Sequence, residues 1–150
     1  MNKPENKKIA QIFFVLLLIK IINGYLFTYI NNRFFKLENG AFENLSEGEL
    51  LFVAVVAAPI IETLFFQYGL YKVLNYLKVK NTLVLIGVMS LVFSQAHGYH
   101  WLYMLATFFS GLTLNYLYIS TLRYKSEILA VLLTMAMHSL YNLFGVLFVD

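Results

Sequence analysis

Leu50 to Leu77 reads LLFVAVVAAPIIETLFFQYGLYKVLNYL, and its only acidic residue is Glu62. A run this apolar exceeds the ~20 residues that cross a bilayer core, and it shows no strict period-two alternation, so it reads as a transmembrane helix. A carboxylate at that depth costs at least about 3 kcal/mol on insertion scales, which makes Glu62 a functional candidate from the outset. Ser46 followed by Glu49 fits a capping box and starts the helix near Glu47. From there to Leu77 is roughly 31 residues, or roughly 46 Å at 1.5 Å per residue, so a tilt, a kink or an excursion into water is expected. Pro59, one turn before Glu62, has no N–H and frees a carbonyl about four residues earlier, which predicts a bend beside the acid.

Outward from this stretch, further apolar runs span Ile9 to Ile30, Thr82 to about Gln95, Trp101 to Leu122 and Ile128 to Val149. With 60% hydrophobic and 13% charged residues, too little polar surface remains to cover a soluble globule of this size. The expected fold is all-α: a polytopic membrane bundle of about five transmembrane helices in one domain, 1–150. Residues 1–46 would supply an N-terminal span and a polar loop, and 47–150 the core. Lys3, Lys7 and Lys8 give the first run a signal-peptide look, but it is too long for an h-region and no small-x-small site follows, so it reads as a span. Lys20 within it could snorkel toward an interface or face the bundle and pair with a buried Glu, and snorkelling is the expected reading.

The absence of cysteine excludes structural disulfides and thiolate metal sites. The net charge of +3 arises from basic residues placed by topology and forms no stripe, so no nucleic-acid partner is expected. Glu38, Glu43, Glu47 and Glu49 outnumber Arg33 and Lys36 in the first loop, whereas Lys72, Lys78 and Lys80, then Arg123 and Lys125, make the second and fourth connections basic. The positive-inside rule places the N-terminus in the cytoplasm. Tyr99, Trp101 and Tyr103 read as an interface belt. A transporter is disfavoured, because neither a polar stripe along several helices nor a repeated pair of broken spans is visible.

Three local patterns carry chemistry. In the first, Pro59 precedes Glu62, and Thr63 and Gln67 stand one turn apart on one face with Glu62 about 100° around. Phe93 to His97 forms the second, at the end of the third run. In the third, His138 and Asn142 share a helical face at i,i+4 spacing. Each alone is a weak signal, since a membrane His or Asn is commonly packing or interhelical glue.

In order and type the set resembles the CAAX protease and bacteriocin-processing family, also called CPBP or Abi. That family's signature is a Glu-Glu-x-x-x-Arg helix after a Pro, then Phe-x-x-x-His, then His-x-x-x-Asn. Glu62 matches the first Glu, Phe93 and His97 the second motif, and His138 and Asn142 the third, while Gly111 to Tyr118, GLTLNYLY, looks like the family's run between the last two motifs. The resemblance covers about Glu47 to Val149. Thr63 and Gln67 depart from it, replacing the usual second Glu and Arg with a neutral pair that can still hydrogen-bond.

The resemblance implies an intramembrane endopeptidase. Glu62 and His97 would activate water, and His138 and Asn142 would donate to the oxyanion. Thr63, Gln67 and Phe93 would support them. No cofactor is expected. Zinc held by two His and one Glu is the less favoured alternative, because no separate carboxylate would remain as base and there is no H-E-x-x-H pair. A silent binding or bacteriocin-immunity-type protein of the same fold is the alternative function. The expected partners are the lipid bilayer and a membrane-associated protein or peptide substrate, and the expected location is a prokaryotic plasma membrane. His100 is expected to be a solvated interface residue.

Overall fold

A computed structural model of the chain describes residues 3–38 and 44–149. Glu43, counted above in the first loop, and the Lys3 side chain lie outside the described residues. Among the described residues five helical rods follow one another: α1 (Lys3–Ile30), continued by a widened turn at Asn31–Phe35, α2 (Glu47–Tyr76), α3 (Thr82–Gln95), α4 (Trp101–Tyr124) and α5 (Glu127–Phe148). The all-α membrane bundle is therefore found. Four of the rods are long and apolar enough to cross a membrane, while α3, at 14 residues, rises only about 21 Å.

Local chemistry sets the ends. Ser46 Oγ accepts from the Glu49 N–H while the Glu49 carboxylate accepts from the Ser46 N–H at 2.9 Å, the reciprocal box expected from sequence. Asn81 Oδ1 accepts from the N–H groups of Leu83 and Val84 at the start of α3, and Ser126 Oγ accepts from Leu129 N–H at the start of α5. Lys78, at φ 61°, turns the chain out of α2 as the Val79 N–H reaches back to the Leu74 carbonyl.

The long second helix is one rod with two widened, π-type stretches, Val53–Ala57 and Thr63–Gly69, on either side of the short α-helical segment Ala58–Glu62. Around Pro59 the hydrogen-bond register departs from that of an α-helix. The Ala58 N–H bonds five residues back, to Val53. In that register the missing N–H of Pro59 leaves the Ala54 carbonyl unpaired, one residue earlier than a purely α-helical count gives.

The central rod is α4, packed by α1, α3 and α5. Its Gly111 lets α3 approach closely: a Cβ there would sit 3.2 Å from Ser90 Cα and from the Phe93 ring. Large apolar side chains such as Phe14, Phe65, Leu83 and Ile128 point outward, as a lipid-facing surface requires.

Candidate active site

Glu62 ends the α-helical segment between the two widened stretches, and its carboxylate points into the bundle. Its Oε2 lies 3.5 Å from His97 Nε2 and 3.7 Å from His138 Nε2. Both separations are longer than a well-formed direct hydrogen bond. Oε2 is buried and has no direct hydrogen bond among the described residues.

His97 follows directly on the end of α3, and its Nδ1 lies 2.8 Å from the Phe93 carbonyl. A carbonyl only accepts, so Nδ1 carries the proton and Nε2 of the neutral ring is left as an acceptor facing Glu62. Phe93 wedges between the imidazoles, its ring centroid 4.5 Å from that of His97 and 6.0 Å from that of His138. It is itself buried against Phe66 of α2. His138 is buried in the middle of α5.

Asn142, one turn on from His138, donates from Nδ2 to the Ala54 carbonyl at 2.8 Å. That is the carbonyl freed by Pro59, so one amide hydrogen ties α5 to the widened turn of α2 and the second remains for other chemistry. Replacing Asn142 with Ala is expected to strand that carbonyl and lower stability by about 1–3 kcal/mol. Pro59→Ala, which restores an N–H for Ala54, should largely cancel the loss when thermal unfolding in detergent is compared across both single variants and the double variant.

These side chains line a cavity of about 520 Å³. Its wall comes from the C-terminal halves of α1 and α5, the N-terminal halves of α2 and α4, and the α3–α4 turn, so it occupies the end of the bundle remote from the start of α1. The opposite end gathers Lys7, Lys8, Lys72, Lys78, Lys80, Arg123 and Lys125, with ion pairs Lys72–Glu127 at 2.7 Å and Lys125–Glu5 at 3.3 Å.

Of the residues singled out in the sequence, Glu62, Phe93, His97, His138 and Asn142 meet at the cavity. Thr63 and Gln67 do not line it. Both are fully buried, and neither the Thr63 hydroxyl nor the Gln67 amide finds a hydrogen-bond partner among the described residues. The structure corrects two further expectations. His100 is no solvated loop residue: its Nδ1 caps α4 by accepting from the Tyr103 N–H at 3.0 Å, and its Nε2 is buried. Lys20 does not snorkel. It is 1% exposed, lines the same cavity, and holds its Nζ 3.9 Å from the Tyr141 ring centroid. The sequence signal for it was a cation in the middle of one apolar run and a lone acid in another.

Among the described residues no three His, Cys, Asp or Glu side chains are grouped to hold a metal ion.

A family described as Rce1-like, type II CAAX prenyl endopeptidase Rce1-like, matches residues 46–144. The chain belongs to the Rce1-like family. No curated protein and no solved structure matches it. The family match begins at the Ser46 cap and ends two residues beyond Asn142, so an Rce1-like core spans α2 to α5 and leaves α1 outside. Membership makes the chain a membrane-embedded protease in general terms, acting on protein or peptide.

Proposed function

We propose that the chain is an intramembrane endopeptidase in which Glu62 and His97 activate water without a metal, and His138 and Asn142 donate to the oxyanion. The observation that carries this reading is the single Glu62 carboxylate oxygen held within 4 Å of two imidazole Nε2 atoms inside a cavity. Glu62 takes the proton from water as the oxygen attacks the peptide carbonyl, His97 stabilises the shared proton, and Glu62 returns it to the departing amine as the tetrahedral intermediate collapses and the C–N bond breaks. His138 donates from Nε2 only in the tautomer or charge state that carries a proton there, and Asn142 uses its second amide hydrogen. Thr63, Gln67 and Phe93 hold the helices in register around them.

The test is hydrolysis in ¹⁸O-water by the purified protein in proteoliposomes, offered a library of membrane-inserting peptides, with chelator present. Cleavage that places one ¹⁸O in the new carboxyl group supports the reading. No cleavage of any peptide, or cleavage lost on chelation, overturns it.

The positive-inside rule supports an N-terminus in the cytoplasm, given the basic end of the bundle. The cavity then opens on the non-cytoplasmic side, toward a peptide or lipid-anchored segment presented there. The chain is free of cysteine, so single cysteines can report on this. One placed at Tyr99 is expected to react with an impermeant maleimide from outside the cell and one at Lys78 only after permeabilisation. The reverse pattern would overturn the orientation.

A further inference from the structure

We infer that Lys20, on the helix outside the matched family core, is the charge partner of Glu62 and a positioning residue of the site. Lys20 is the only Lys or Arg, and Glu62 the only Asp or Glu, among the described residues lining the cavity. Burying an ammonium in the middle of a membrane helix is expensive unless an anion compensates it. Among the described residues no carboxylate lies within 4 Å of the Lys20 Nζ, and the acid on the wall of the same cavity is Glu62. The two ions therefore face each other through a polar cavity, not as a contact pair.

The setting of Lys20 is built, not incidental. Its ammonium sits over the Tyr141 ring, a cation–π contact from the same helix as His138 and Asn142. One turn further along α1, Gly24 makes room for Tyr141: a Cβ there would lie 2.9 Å from the phenolic oxygen. Asn23 Nδ2 donates to the Ala106 carbonyl at 3.1 Å and fixes α1 against α4 at the same level. The α2 residues that line the cavity, Leu50, Ala54, Ala58 and Glu62, include no cation. The cation comes from α1 instead. With Lys20 and Glu62 on the wall of one cavity, the first helix completes a site whose other members come from the family core.

The role assigned to Glu62 rests on the proposed protease reading, but the charge coupling is testable without a substrate. The experiment is a double-mutant cycle on the full chain in lipid nanodiscs, using Lys20→Met, Glu62→Gln and both together, read as melting temperature. Each single change strands one buried charge and is expected to lower the melting temperature by roughly 5 °C or more, whereas the double variant should recover most of that loss. Additive losses in the double variant would overturn the pairing. Where Lys20→Met fails to fold, the double variant keeps the test decisive, since it must fold if the two charges compensate each other. Once a substrate is found, Lys20→Met should lower turnover by about 10-fold or more and Lys20→Arg should restore most of it; equal losses in both would make Lys20 a packing residue only. Absence of any proteolysis would defeat the protease reading while leaving the charge pairing to the melting data.

Discussion

Glu62→Gln is expected to abolish peptide hydrolysis, a loss of about 10²- to 10⁴-fold, the range that a positioned general base contributes. Glutamine keeps the length and hydrogen-bonding capacity of the side chain but cannot take a proton from water. The 3.5 Å and 3.7 Å approaches to His97 and His138 would survive the change, while the acceptor charge between them would not. Loss of activity through unfolding is the competing explanation, and Lys20 offers a way to separate the two. If Lys20→Met is added to Glu62→Gln, the buried pair is replaced by two neutral side chains and thermal stability returns, yet hydrolysis stays absent. A Glu62→Gln enzyme with near wild-type turnover would remove Glu62 from the chemistry.

The second large effect is expected at Gln67, buried on α2 outside the lining of the cavity. Gln67→Arg places a guanidinium at a fully buried position where its neighbour Thr63 offers only a hydroxyl. An uncompensated buried charge costs several kcal/mol, so little folded protein should be recovered by size-exclusion chromatography. Adding Thr63→Glu supplies a carboxylate one turn away and should restore a large part of the yield, re-creating the charged pair of the resembled motif. Gln67→Met removes the polar group without adding charge and is expected to fold. Were Gln67→Arg alone to fold at wild-type yield, the region around Thr63 and Gln67 would have to be wet enough to solvate a charge.

What the sequence revealed, and what it hid, follows from how local each determinant is. The Ser46–Glu49 box is a matter of four consecutive residues and was readable directly. The assembly of Glu62, His97, His138 and Asn142 was readable because the order of three short patterns matched a family. The register of α2 was not. It depends on a missing N–H at Pro59 and on a donor, Asn142, supplied from another helix, and helix periodicity carries no trace of that. Lys20 was misread for a similar reason. A lysine within an apolar run snorkels by default, and only the acid on α2 and the ring of Tyr141 on α5 make burial tolerable. The capping role of His100 was missed because histidine is not among the residues preferred at helix starts.

The brevity of α3 has a consequence for the surrounding lipid. A helix of 14 residues rises about 21 Å, well short of a hydrocarbon core of about 30 Å, so it cannot carry His97 from one headgroup region to the other. Lipids against this rod must shorten or tilt their chains, or water must descend to meet the Ala96–His100 turn. Bilayer thickness thereby becomes a control on how wet His97 is. The protein should work best in thin or locally thinned membranes, and acyl-chain length alone could sort where in a cell's membranes it is active.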